Sequence, residues 1–83
     1  MNHFVYILYS LKSDKFYVGC TSDFATRLIQ HNSGINKSTK HGLPWELKYT
    51  ETFDTLKEAR FRELEIKKKK SRKYIIWLIN KPV

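Results

Sequence analysis

The chain has 83 residues, room for one small domain (1–83) that can bury about 60–65% of its unfolded surface. A hydrophobic fraction of 41% beside 29% charged residues excludes a disordered chain, and the lone Cys20 excludes a disulfide framework or a thiolate-only metal cluster. Lys and Arg outnumber Asp and Glu by 16 to 8, a net charge of +8, which points to a polyanionic partner.

Phe4 to Tyr9 is a short β-branched and aromatic run without polar alternation, as in a strand covered on both faces. A polar turn follows, and Phe16 to Cys20 forms a second strand, making a β-hairpin. Simple closure pairs Tyr9 with Phe16, Leu8 with Tyr17 and Tyr6 with Gly19, so Tyr6 and Tyr17 share a face. Gly19, opposite Tyr6, is expected to leave room for a ligand or a backbone. Thr21, Ser22 and Asp23 are N-cap candidates for a helix from about Asp23 to Ser33, with Gly34 just past its end. Ile35 to Pro44 reads as a polar connecting loop. Trp45 to Phe53 alternates with period two, a strand with one wet face. Asp54 or Thr55 caps a second helix to about Lys70, and Ser71 starts a third from Arg72 to Asn80, whose run Tyr74 to Ile79 reads as buried. The fold class is α+β, a small three-stranded antiparallel sheet flanked by helices in the order ββαβαα. No apolar run reaches the ~18 residues of a membrane span, and Met1 to Phe4 lacks the features of a signal peptide. A cytoplasmic protein without a membrane partner is expected.

Most of the charge sits in residues 57–73, where nine basic residues face three acids, a net charge of +6. Lys67, Lys68, Lys69, Lys70, Arg72 and Lys73 are candidates to meet nucleic-acid phosphates; the competing reading is a solvated helix. Helical phase puts Glu63 on the stripe of Leu56, Ala59 and Ile66, with Glu58 and Glu65 opposite. A carboxylate there needs a partner: an ion pair with Arg27, water at a rim, or a cation. Arg27 and His31 lie four residues apart and flank the apolar side of the first helix, as cleft residues or as solvated ones. Tyr6 and Tyr17 are either core packing or hydroxyls able to donate to phosphate or take a proton. The three histidines, His3, His31 and His41, lack zinc-site spacing.

These residues resemble the GIY-YIG nuclease superfamily, in particular its small stand-alone bacterial members. Phe4-Val5-Tyr6 and Tyr17-Val18-Gly19 stand where the two name-giving tripeptides stand, and Arg27, His31 and Glu63 follow in order. Thr39-Lys40, Pro44-Trp45 and the lysine-rich end complete a likeness covering about Phe4 to Ile79. The resemblance implies a metal-dependent endonuclease hydrolysing DNA phosphodiesters, in repair or recombination. One Mg²⁺ or Mn²⁺ would sit on Glu63, Arg27 on the phosphate, Tyr6 as general base, Tyr17 positioning water or phosphate, and His31 sharing the base role. Lys40 joins the nucleic-acid contacts. Asn80 is the C-terminal candidate for an asparagine that supports the site in many relatives, and specificity is expected from a separate protein partner. The alternative is a non-catalytic nucleic-acid-binding module on the same scaffold; a basic protein-interaction adaptor ranks below both.

Overall fold

Because residues 4–9 carry no polar alternation, they suit a strand with no wet face, and the chain uses them in the middle of its sheet. A computed structural model describes residues 2–37 and 39–81; Met1, Ser38, Pro82 and Val83 lie outside the described residues. Strand β1 (His3–Ser10) pairs antiparallel with β2 (Lys15–Thr21) on one side and β3 (Trp45–Phe53) on the other. Val5 and Ile7 point to one face and Tyr6 and Leu8 to the other, and none is more than 1% exposed. The hairpin register is the one closure predicts, with Leu8 opposite Tyr17 and Tyr6 opposite Gly19.

The β3 pairing departs from the expected alternation. Ile7 faces Tyr49 but Leu8 faces Leu47, so Lys48 is an extra residue on β3. Such a bulge moves everything beyond it to the other face. Tyr49 and Phe53 therefore join Val5 and Ile7, while Trp45 and Leu47 join Tyr6 and Leu8. The strand does not have a single wet face: its apolar residues serve both cores.

Three helices cover the sheet. Helix α1 (Phe24–Asn32) packs Phe24 and Leu28 on the Tyr6–Leu8 face. Helices α2 (Leu56–Lys69) and α3 (Arg72–Asn80) pack Ala59, Ile66 and Leu78 on the Val5–Ile7 face. Each starts on a side-chain cap: Asp23 accepts from the Thr26 amide (3.1 Å), Thr55 from that of Glu58 (3.2 Å) and Ser71 from that of Tyr74 (3.1 Å). Gly34, at φ 80°, takes the left-handed turn that releases the chain from α1.

An ion pair joins α2 to β3. Arg62 donates from Nε and Nη2 to the two carboxylate oxygens of Glu51, at 2.9 and 3.0 Å, and Nη1 reaches the Tyr74 hydroxyl at 3.1 Å. Burial alone would raise the Glu51 carboxyl, but the Arg62 bonds, the Tyr49 hydroxyl and the Arg62 charge hold it below the usual range. Burial, and then the bond to Glu51, pushes the Tyr49 phenol up to about 12.

Two further expectations change. Ile35 to Pro44 does connect α1 to β3, but its described residues are more than a polar link: they include a 3₁₀ turn, Lys40–Gly42, and the fully buried Thr39. The run Tyr74 to Ile79 is not buried as a whole. Leu78 is, but Trp77 is 58% exposed, because only one side of so short a helix can face the sheet.

Candidate active site

The face under α1 is where Tyr6, Tyr17 and His31 meet. Tyr6 and Tyr17, on neighbouring strands, bring their ring centroids to 6.3 Å. A Cβ on Gly19 would overlap the Tyr6 ring, so the space that glycine frees is filled by Tyr6 and not by a ligand, contrary to expectation.

His31 lies in the last turn of α1 and is fully buried, not a flank meeting solvent. Its Nε2 lies 3.1 Å from the Tyr6 hydroxyl, and its ring centroid 4.8 Å from that of Tyr17. Its Nδ1 lies 3.0 Å from Thr39 Oγ1 and 3.4 Å from Asn36 Nδ2. The buried part of residues 35–44 is thus the second wall of the imidazole. That wall is pinned in turn: Trp45 Nε1 donates to the Thr39 carbonyl (2.7 Å). The Asn32 side chain accepts from the Trp45 amide (2.6 Å) and donates to the Trp45 carbonyl (3.0 Å). Thr39 and Asn36 were not legible as supports of His31. Polar residues in a polar stretch give no periodic signal of burial, and only the Thr39-Lys40 pair, known from the family likeness, hinted at one of them.

Arg27, one turn before His31, is half-buried and donates to Gln30 Oε1 at 3.1 Å. Burial pushes the Tyr6 phenol up; Arg27 opposes this, and the neighbouring Tyr17 and Glu63 reinforce it, leaving the phenol above its ordinary value. Burial, and then the Arg27 charge, hold the His31 imidazole below its ordinary value. Both groups are therefore neutral near pH 7.

Glu63 lies on α2, which packs against β1 and β2 from the Val5–Ile7 face. Its side chain is 17% exposed, and Oε2 accepts from Lys67 Nζ at 2.7 Å; the partner is Lys67, not Arg27. Its charge is felt at the Tyr6 hydroxyl and at the Cys20 thiol, which burial first and Glu63 second push up. Among the described residues no three His, Cys, Asp or Glu side chains form a metal-holding group. The donor set at Glu63 is thus one hard carboxylate, with Oε1 unpartnered among the described residues, which suits Mg²⁺ or Mn²⁺ completed by water and phosphate oxygens.

The basic candidates divide. A groove of about 460 Å³ runs along β2 to the end of α2, lined by Tyr17, Val18, Ile66, Lys67, Lys70 and Arg72 among others. Lys68, Lys70 and Lys73 are exposed, as is Lys40, which follows Thr39 directly. Lys69 lies over the Tyr74 ring at 4.7 Å. Arg72 donates to the Asp14 carboxylate and carbonyl and covers Phe16, fastening the hairpin turn to α3. Asn80 is exposed and borders a hollow with Tyr9, Phe16 and Ile76, away from the Tyr6–His31 cluster, so it does not brace that cluster.

A family model of the GIY-YIG catalytic domain matches residues 2–75. The chain belongs to the GIY-YIG family. It is 44% identical over 66 residues to a UPF0213 protein of Staphylococcus saprophyticus, covering 78% of this chain and 79% of that protein. It is 40% identical over 78 residues to the UPF0213 protein YazA of Bacillus subtilis, covering 89% and 78%. The solution NMR structure of a UPF0213 protein from Bacillus halodurans superposes with a TM-score of 0.58 at 38% identity, covering 95% of this chain and 83% of that one. The ββαβαα order and the β2-β1-β3 sheet are thus those of a small GIY-YIG protein. Membership relates the chain to a nuclease superfamily whose members generally act on nucleic acid with divalent metals. Among the described residues no helix is long and apolar enough to cross a membrane.

Proposed function

We propose that this GIY-YIG protein is an endonuclease that hydrolyses DNA phosphodiesters with one divalent ion, Mg²⁺ or Mn²⁺, at Glu63. The observation that supports this most is the Tyr6 hydroxyl at 3.1 Å from the Nε2 of a fully buried His31, with Arg27 and Glu63 close enough to act on it electrostatically. A core tyrosine needs no such company.

Hydrolysis requires a base for water, stabilisation of the added negative charge, and a held phosphate. His31 supplies the base. In the tautomer that carries its proton on Nδ1, the imidazole donates to Thr39 Oγ1, 3.0 Å away, the Thr39 hydroxyl turns to the Asn36 carbonyl at 3.5 Å, and Nε2 accepts. The proton of the attacking water passes to the Tyr6 oxygen as the Tyr6 proton passes to His31 Nε2, so Tyr6 stays neutral throughout. Its raised pKa makes that route easier than a standing phenolate. Tyr17, less buried than Tyr6, orients water and phosphate at the surface. Arg27 meets the phosphate with its planar fork. A bound divalent ion supplies charge stabilisation at the phosphate and the leaving 3′ oxygen. Glu63 would hold it, Lys67 giving up its bond to Oε2. The products are 5′-phosphate and 3′-hydroxyl ends.

The Lys67–Glu63 pair also favours a second reading, a nucleic-acid-binding module whose carboxylate is permanently neutralised by lysine. Supercoiled plasmid with Mg²⁺ or Mn²⁺ separates the two. Wild type should nick and Glu63→Ala should not, while the variant keeps or gains DNA affinity through the loss of a negative charge. Equal nicking by both proteins defeats the enzymatic reading. No nicking by wild type, with binding that weakens steeply in salt, leaves the binding module.

A further inference from the structure

Trp77 stands on the outer side of α3, 58% exposed, on the sheet face opposite the Tyr6–His31 cluster. The nuclease mechanism has no use for it, and the core does not bury it. Its ring stacks on Tyr74 with centroids 5.9 Å apart and planes 27° from parallel, which fixes the plane it offers to solvent. Cations surround it. Lys73 and Lys81 stand four residues before and after it, Lys73 in the first turn of α3 and Lys81 as its C-cap. Lys81 Nζ lies 5.8 Å from the indole centroid, and Lys69 Nζ 4.7 Å from the Tyr74 centroid. A hollow of about 330 Å³ beside the indole is lined by Lys73, Ile76, Trp77, Asn80 and Lys81.

An apolar partner would have to desolvate these lysines without compensation. An aromatic plane flanked by ammonium groups suits instead a planar ring carried on an anionic chain. We infer that Trp77, with Lys73 and Lys81, is a stacking platform for an unpaired nucleobase, the lysines meeting the phosphates on either side. In a duplex the base faces are already stacked on each other, so the platform selects single-stranded or unpaired segments. The exposed Lys70, two residues before α3, lines the groove along β2 that Tyr17 also lines, and so lies between the platform and the proposed site. The assignment rests on the nucleic-acid reading above and adds what that reading leaves open, the kind of DNA that is held.

The test is binding of oligothymidylate, and of a mixed-sequence duplex of equal length, to the full chain in EDTA. Intrinsic fluorescence is the readout, since Trp45 is buried and Trp77 is not. Oligothymidylate should quench the wild-type emission, and Trp77→Phe should abolish most of that quenching. Trp77→Ala should weaken single-strand binding about 5- to 100-fold, Trp77→Phe by less, and duplex binding by less than about twofold. Unchanged single-strand affinity in Trp77→Ala, or an equal loss on both DNAs, overturns the platform. So does Trp77-dependent binding of polyglutamate as tight as that of oligothymidylate, which would mark an acidic protein partner, or a wild-type dimer that Trp77→Ala dissociates with DNA affinity intact. Circular dichroism checks that the variants fold. The two proposals fail separately: Trp77-dependent single-strand binding without Glu63-dependent nicking removes the nuclease and keeps the platform, and the reverse pattern removes the platform alone.

Discussion

The two faces of the sheet are closed by different chemistry. Beneath α2 and α3 the contacts are mostly hydrocarbon, Val5, Ile7, Val18, Ala59, Ile66 and Leu78, with the Arg62–Glu51 pair at the margin. Beneath α1 the most buried groups include a phenol, an imidazole and a threonine hydroxyl joined in one chain, Tyr6 to His31 to Thr39. Hydrocarbon packing needs only volume and shape. A buried polar chain needs every member satisfied, so it fixes orientations as well as positions. One face holds the fold, and the other holds side chains in a set relation to one another.

The largest effect expected from breaking this contrast lies on the hydrocarbon face. Leu78→Ala, at a site 1% exposed, should cost about 2–5 kcal/mol in urea unfolding. The nicking rate per folded molecule should stay within about twofold of wild type. Next comes Gly19→Ala, whose methyl would displace the Tyr6 ring. A cost of about 1–3 kcal/mol is expected, together with a loss of nicking larger than the lost folded fraction explains. A similar proportional loss from Leu78→Ala would erase the distinction between the faces.

The smallest effect concerns pH. The His31 imidazole titrates below its ordinary value of about 6.5, because of burial and then Arg27. As pH falls below that value, the unfolded chain takes up a proton that the folded chain resists. The stabilisation is therefore complete above it and is lost as pH falls toward the folded pKa. Thermal midpoints between pH 7.5 and 5.5 should fall more steeply for wild type than for His31→Gln. Parallel slopes would mean that the imidazole is not held neutral by its surroundings.

Legibility followed the same division. The hairpin register came from the turn length, and the helix starts from cap candidates that the structure narrows to Asp23, Thr55 and Ser71, because strand pairing and caps are local chemistry. Glu63 stood out by helical phase, and it is indeed a half-buried carboxylate. The β3 bulge was invisible, since Trp45, Leu47, Tyr49 and Phe53 keep one parity in sequence and are divided between faces only by pairing with β1. The burial of His31 was also invisible. A helical wheel tells the direction of a side chain, not whether a distant segment folds over it, and here Asn36 and Thr39 do so. Trp77 was misread for the opposite reason: a run of large apolar residues on a nine-residue helix cannot all face the sheet.

Tyr6→Phe tests the central claim most directly, because it removes one oxygen and leaves the ring packed over Gly19. In single-turnover cleavage of end-labelled DNA with saturating Mg²⁺, its rate should fall about 100-fold or more, with the fold retained and DNA affinity within about threefold of wild type. A rate indistinguishable from wild type would mean that the proton does not travel through Tyr6 to His31, and that the face beneath α1 is not the reacting one.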